Sequence, residues 1–237
     1  MRTFWFIVCM VCLGISALAQ AKKTKAPVKK ANAALPLSKE RLVEITTNYG
    51  TMVVKLSDST PKHRDNFIQL VKQGFYDSLL FHRIIEGFMI QGGDPNSKNA
   101  LDSVPLGMGE VPGERIPAEF KPYLFHKKGA LAAARDDNAE KASSTCQFFI
   151  VQGLVSDDIN INLNECRIRE LNPAFSYTTQ QRQVYKTIGG TPSLDQNYTV
   201  FGEVIKGIEV IDQIIAVPRD ANDRPLKNVR MKMRLLN

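Results

Sequence analysis

The stretch Phe81–Asp94 constrains the fold more than any other part of the chain. It reads FHRIIEGFMIQGGD and is dominated by isoleucine and phenylalanine, which favour β-strands. The run Gly92-Gly93-Asp94-Pro95 is a strong signal for the end of a strand. Arg83 lies among these apolar residues, and arginine is rarely buried without a partner. The stretch therefore predicts buried β-structure in which Arg83 faces a buried acceptor or a ligand at the surface.

Three blocks of sequence, in this order, resemble the signatures of the cyclophilin family of peptidyl-prolyl isomerases. They are residues 81–94, the run Gln147-Phe148-Phe149-Ile150, and residues 194–202, which read LDQNYTVFG. The resemblance implies a mainly β fold, namely a closed eight-stranded antiparallel barrel capped by two α-helices. It also implies that the barrel core is filled and that the substrate lies in an outer groove.

Residue patterns alone predict a mainly β chain with two helices. Alternating apolar residues indicate strands, whereas a Thr-Pro start, apolar residues at spacings of three and four, and a glycine stop indicate a helix. The predicted elements are a hairpin of strands 42–47 and 51–56, a helix over roughly 61–73, a helix over 208–215, and a final strand through Val229, Met231 and Met233.

An insert at about residues 153–191 departs from the compact pattern of the family. Its first part is polar, with several aspartates and asparagines. Thr178 and Gln181 have the spacing of a capping box, and Gly189 is placed as a stop, which predicts one short helix. Long inserts in compact domains are more often functional or decorative than part of the core.

The N-terminus has the pattern of a secretory signal peptide over residues 1–19. Arg2 precedes an apolar run that ends in Ala17-Leu18-Ala19, a small-x-small cleavage pattern. The run is shorter than the ~20 apolar residues that a membrane span requires. This favours cleavage near Ala19 over an uncleaved anchor. We therefore expect an exported protein, periplasmic or otherwise extracytoplasmic, with no membrane span in its mature form.

The basic charge belongs to the N-terminal part of the chain. The net charge is +7, but residues 1–39 hold seven Lys and Arg and no acidic residue, which leaves 24 basic against 24 acidic residues. Residues 20–39 are rich in lysine and alanine, so we expect a disordered linker before a domain at 40–237. A polybasic tail can bind nucleic acid or anionic lipid. A solvated spacer is the simpler interpretation, and we expect no specific nucleic-acid partner.

The two cysteines that follow the signal peptide are Cys146 and Cys166. An even pair in an oxidising compartment favours a disulfide between them. The alternative is two buried thiols. A bridge would tether the insert behind Gln147 without blocking the groove, since Cys146 and Gln147 should face opposite ways.

Isomerisation of an X–Pro bond requires few chemical groups. The barrier of ~18–20 kcal/mol comes from amide resonance, and no proton, hydride or covalent bond has to move. The site needs an apolar slot for the proline ring, a cation near the prolyl nitrogen, and anchors for the flanking backbone. The resemblance implies that Arg83 is the catalytic cation. It implies that substrate is bound by Phe88, Met89, Gln91, Ala134, Arg135, Gln147, Phe149, Leu194 and Tyr198.

No pattern indicates a metal or cofactor. His63 and His126 lack the spacing of metal ligands, and no phosphate-binding loop is present. His82 should face away from Arg83 by strand alternation and be a packed residue. Ser193 stands where many cyclophilins have tryptophan, so the resemblance implies weak cyclosporin binding.

Two functions fit these patterns. The first is a monomeric peptidyl-prolyl cis-trans isomerase that accelerates folding of exported proteins and acts on proline-containing unfolded polypeptides. The second is a non-enzymatic peptide-binding or chaperone module that uses the same groove or the insert. The presence of Arg83, Phe88, Gln91 and Phe149 favours the enzyme.

Overall fold

The computed structural model describes residues 41–102 and 104–236. The predicted signal peptide and linker lie outside the described residues. Within these ranges, no helix has the length and apolar character needed to cross a membrane.

Eight antiparallel strands form a single sheet in the order β3-β4-β6-β5-β7-β2-β1-β8. Backbone hydrogen bonds of 2.9 Å join the two edges of the sheet, from Ser78 N to Met231 O and from Phe81 N to Val229 O. The sheet therefore curls into a barrel, which confirms the predicted fold class. The strands are β1 (Leu42–Thr47), β2 (Gly50–Leu56), β3 (Phe81–Ile85), β4 (Met89–Gly92), β5 (Ala130–Ala133), β6 (Phe148–Val151), β7 (Val200–Lys206) and β8 (Met231–Leu236).

Strand alternation gives this barrel two apolar faces. On β6, Phe148 and Ile150 belong to the main core inside the barrel, whereas Phe149 and Val151 belong to a second cluster on the outer face. All four side chains are buried. A strand that is apolar on both faces needs cover on both sides. The outer cover includes Leu124, Leu194 and Tyr198, together with the His126 ring.

Within the described residues, four α-helices accompany the sheet, and two of them are the predicted capping helices. The helix α1 ends before Gly74, whose φ of +65° suits a glycine at a helix terminus. Its Phe67 ring packs edge-on against Phe148 at 5.7 Å and against Phe201 at 5.3 Å between ring centroids. The helices are α1 (Pro61–Lys72), α2 (Asp158–Arg169), α3 (Thr179–Thr187) and α4 (Glu209–Ile215).

The insert carries α2 and α3 and has a small core of its own. Ile161, Ile168, Phe175, Tyr177 and Tyr185 form this buried cluster. The capping box at Thr178 and Gln181 is present at the start of α3, so that predicted helix is confirmed. The sequence did not predict α2, which is mostly polar on its exposed side.

The two ends of the insert meet at one point. Leu154 and Gly190 exchange backbone hydrogen bonds of 3.3 and 3.0 Å. A Cβ atom on Gly153 would lie 2.4 Å from the backbone of Gly190. Glycine is therefore required at 153, since such a contact allows no side chain.

The predicted disulfide between Cys146 and Cys166 is not formed, and both residues are free thiols. Cys146 is buried in the main core, whereas Cys166 lies on the exposed side of α2. Burial raises the pKa of the Cys146 thiol to about 11. Cys146 and Cys166 therefore belong to separate parts of the fold. The insert is attached to the barrel by contacts other than a disulfide.

Candidate active site on the outer face of the barrel

A row of side chains crosses four strands on the outer face. Arg83 on β3 is paired with Gln91 on β4, Gln91 with Phe149 on β6, and Phe149 with Ala132 on β5. Directly paired residues in antiparallel strands project to the same face. Strand register alone therefore places a cation, an amide and an aromatic ring side by side.

The apolar part of this face is a cluster of buried and half-buried side chains at the position of the predicted slot, and we call it the slot. Met89, Ala132 and Phe149 are buried at its base. Other members of the same apolar cluster surround these three residues. Among them, the Tyr198 ring packs edge-on against Phe149, with 5.8 Å between ring centroids. Six of the residues predicted to bind substrate thus lie together, namely Phe88, Met89, Ala134, Phe149, Leu194 and Tyr198.

Two predicted glutamines form the polar edge of the slot. Gln91 Nε2 donates to Gln147 Oε1 at 3.1 Å. Gln147 Nε2 in turn donates to the carbonyl oxygens of Gly107 and Gly109, at 3.0 and 2.8 Å. These bonds fix both amides in position and connect the slot to the loop that follows β4.

The side chain of Arg135 holds the loop over the slot. Its Nε donates to Asn197 O at 3.1 Å and its Nη2 to Asn197 Oδ1 at 3.0 Å. The guanidinium lies over the Tyr198 ring, 4.6 Å from the ring centroid. The resemblance implied that Arg135 binds substrate through its backbone. In the structure, the Arg135 side chain also holds the loop that carries Asn197 and Tyr198.

Arg83 is the accessible cation at the end of the row. Its side chain is 43% exposed, and its Nε lies 3.7 Å from Asp223 Oδ2. Exposed ion pairs of this kind contribute only ~0–1 kcal/mol, so the guanidinium is free to turn toward a ligand. It borders a cavity of about 630 Å³ that His82, Gln91 and Arg224 also line.

His82 lines the same cavity as Arg83, so the prediction that it faces the opposite way is wrong. The pairing of β3 with β4 shifts register between Phe81 and Arg83, which is a β-bulge and breaks the alternation. The prediction of a packed histidine is confirmed, since His82 is buried. Burial lowers the pKa of His82 to about 4, so the ring is neutral at physiological pH.

A buried cluster around Asp195 supports the slot from behind, and the sequence did not predict it. Asp195 Oδ1 accepts hydrogen bonds from the backbone N of His126 at 2.8 Å and faces its Nδ1 at 2.7 Å. Asp195 Oδ2 accepts from the hydroxyls of Tyr177 at 2.7 Å and Tyr185 at 2.5 Å. The His126 ring stacks on Phe149 with centroids 5.9 Å apart. The insert therefore binds Asp195, the residue after Leu194, and Asp195 also binds His126, whose ring packs on Phe149.

The two tyrosines act as hydrogen-bond donors. Burial raises the pKa of both the Tyr177 and the Tyr185 hydroxyls, with the Asp195 carboxylate adding to the shift. Both therefore remain protonated. The sequence signal that could have indicated them is a pair of tyrosines in a mostly polar insert.

Among residues 41–102 and 104–236, no group of three or more His, Cys, Asp or Glu side chains could hold a metal ion. His63 is instead bound to Glu119, with 2.7 Å between Nδ1 and Oε2.

Comparison with known proteins gives one consistent family. The profile described as "Cyclophilin type peptidyl-prolyl cis-trans isomerase/CLD" matches residues 42–234. A Streptococcus pyogenes protein named "Putative bifunctional phosphatase/peptidyl-prolyl cis-trans isomerase" is 37% identical over 190 residues, which cover 79% of this chain and 37% of that protein. A Staphylococcus haemolyticus protein named "Putative peptidyl-prolyl cis-trans isomerase" is 35% identical over 79% of this chain and 86% of its own length.

The fold has a counterpart among solved structures. A cyclophilin-type peptidyl-prolyl cis-trans isomerase from Cryptosporidium parvum is 25% identical and superposes with a TM-score of 0.61. The match covers 84% of this chain and 98% of that one.

Proposed function

Because this chain belongs to the cyclophilin-type peptidyl-prolyl cis-trans isomerases, we propose that it accelerates X–Pro isomerisation in exported proteins as they fold. The observation that carries the proposal is the row of Arg83, Gln91 and Phe149 on the outer face. It sets a cation and an amide beside an apolar slot, which are the groups that the reaction requires.

In the proposed mechanism, the slot formed by Phe88, Met89 and Phe149 grips the proline ring. Arg83 donates a hydrogen bond to the prolyl nitrogen as amide resonance is lost. This nitrogen gains a lone pair only in the twisted state, so the bond stabilises the transition state more than either planar isomer. A charged hydrogen bond of ~1.5–3 kcal/mol corresponds to roughly ten- to hundredfold in rate.

The glutamines hold the backbone on one side of the proline while the other side rotates. The Gln91 and Gln147 amides are already oriented by their mutual bond and by Gly107 and Gly109. Acceleration beyond the contribution of Arg83 would come from tighter binding of the twisted peptide.

The proposed setting is extracytoplasmic, and the proposed clients are unfolded polypeptides that contain proline. The signal-peptide pattern of residues 1–19 supports export. We further propose that the enzyme acts as a monomer and binds cyclosporin weakly. Ser193, exposed beside Leu194, offers no large ring for such a ligand.

A peptide-holding module is the second candidate. The observation that favours it is the exposure of Leu154 and Val155 on the insert, next to the groove.

The test is cis-to-trans conversion of a short blocked peptide with one X–Pro bond, measured for the wild type, Arg83→Ala and Arg219→Ala. Arg219 is a matched control because it pairs with the same carboxylate, 3.9 Å from Asp223 Oδ1. We expect Arg83→Ala to lower kcat/KM by about ten- to hundredfold. Arg219→Ala should stay within about twofold of the wild type. A wild type without turnover would refute the isomerase and favour the holding module.

A further inference from the structure

The insert adds a cleft beside the proline slot. The cleft has a volume of about 750 Å³, and its lining includes Gly87, Leu154, Val155, Asn160, Asn164 and Ser193. The side chains of Leu154 and Val155 are 66% and 65% exposed there. Adjacent exposed apolar residues in a concave surface are typical of a binding site.

The cleft borders the slot at two points of the chain. Gly87 and Ser193 line the cleft, and each is followed directly by a residue of the slot, Phe88 or Leu194. The insert is bound to this boundary, since Gln152 Oε1 accepts from Gly87 N at 2.7 Å and Phe88 O accepts from Gly153 N at 3.0 Å. The cleft therefore lies where it can receive a segment that flanks a proline held at the slot.

One charged residue of the cleft is ion-paired within the insert, and another caps a helix. Lys186 Nζ pairs with Asp158 Oδ2 at 3.1 Å, and Asp157 accepts from Asn160 N at 2.8 Å as the cap of α2. The remaining polar groups include the carboxamides of Asn160 and Asn164. Such amides both donate and accept hydrogen bonds, as the backbone of an extended chain requires. The lining thus suits an extended segment.

We propose that this cleft binds the client polypeptide next to its proline, with an apolar client side chain placed against Leu154 and Val155. This inference rests on the proposed isomerase function and deepens it. A client side chain that reaches the cleft belongs to the segment that flanks the bound proline. The cleft therefore raises affinity for unfolded chains that present an apolar residue there, and it contributes nothing to peptides too short to reach it.

The test compares Val155→Asp with Leu171→Asp in the full protein. Leu171 is 80% exposed and lies on the insert outside the cleft, so the control introduces the same charge elsewhere. Two substrates are used: a short blocked X–Pro peptide, and a disulfide-free protein whose refolding is limited by a prolyl isomerisation. We expect Val155→Asp to lower kcat/KM for refolding by about tenfold, through loss of apolar burial, with no change for the short peptide. Leu171→Asp should change neither rate.

Each outcome distinguishes the cleft from the isomerase. If Val155→Asp turns over the short peptide normally and also leaves the refolding rate unchanged, the proposed client binding at the cleft is wrong. The isomerase function is then still supported by turnover of the short peptide. An equal loss of refolding activity in Leu171→Asp would also contradict the proposed client binding at the cleft. The loss would then come from adding a negative charge anywhere on the insert. A wild type that turns over neither substrate would refute the isomerase function itself.

Discussion

Two groups of side chains meet at Phe149, and different interactions position them. One is the row of Arg83, Gln91 and Phe149, and the other is the cluster around Asp195. Strand pairing sets the row, because each member is opposite the next across the sheet. Side-chain hydrogen bonds set the cluster, which joins the insert to the loop that carries Leu194. The comparison indicates that strand pairing in the barrel fixes the row, whereas the insert holds the loop that carries Leu194.

The largest expected effect is on stability. It tests whether Phe149, the buried member of the row, also contributes to the packing of the fold. Phe149→Ala removes a buried ring that packs on Tyr198 and His126, so we expect the free energy of unfolding to fall by about 3–5 kcal/mol. Urea denaturation measures it. Tyr123→Ala is the control, since Tyr123 is 61% exposed and should change stability by less than about 0.5 kcal/mol. A loss below about 1 kcal/mol for Phe149→Ala would mean that the outer face contributes little to the core.

The next effect concerns the insert. The variant Tyr177→Phe removes one donor to the Asp195 carboxylate, a bond worth about 1.5–3 kcal/mol. We expect lower stability in urea, together with a raised KM for the short X–Pro peptide, because Asp195 adjoins Leu194. Tyr123→Phe should change neither quantity. Lower stability with an unchanged KM would show that the insert stabilises the fold without shaping the slot.

A third prediction concerns pH and the bulge in β3. His82 has a folded pKa of about 4, below the ~6.5 of an unfolded histidine. Between these values the unfolded chain binds a proton that the folded chain does not. Stability is therefore complete above pH 6.5 and falls toward pH 4, by about 1.4 kcal/mol per unit from this residue.

His82→Gln should remove that part of the acid sensitivity. The measurement is the free energy of unfolding of the variant and the wild type at several pH values between 4 and 7. His63, whose pKa is also lowered by burial, is present in both proteins and cancels in the difference. Parallel curves would contradict the prediction.

The smallest expected effect concerns the thiols. Cys166 is exposed and free, so Cys166→Ser should change the free energy of unfolding by less than about 0.5 kcal/mol. The unfolding midpoint of the wild type should be the same with and without reductant. A reductant effect that disappears in Cys166→Ser would restore the disulfide and with it a covalent link between insert and barrel.

The sequence was most informative where the structure depends on local signals, or where a block of sequence resembles a signature of the family. The Thr60-Pro61 start and the Gly74 stop delimited α1, and the capping box at Thr178 located α3. The residues of the slot were found by their resemblance to the family's signatures. They come together because strand register, itself set by the apolar pattern, aligns those blocks.

The sequence was least informative where structure depends on contacts between distant segments. The bulge at His82 arises from the pairing of two strands, so alternation within β3 could not indicate it. The helix α2 buries Ile161 and Ile168, two turns apart, which is too sparse a pattern to detect. The partners of Asp195 lie 10 and 18 residues away in the insert and 69 residues away at His126, and only packing brings them together.

The backbone pairing of Leu154 with Gly190 has a consequence for the evolution of the chain. Since the excursion through residues 155–189 starts and returns at one pair of hydrogen bonds, its length can change without moving any strand of the barrel. Closing such a loop costs entropy that grows only slowly with length. The insert can therefore lengthen or shorten among related chains, provided that Tyr177 and Tyr185 keep their hydrogen bonds to Asp195.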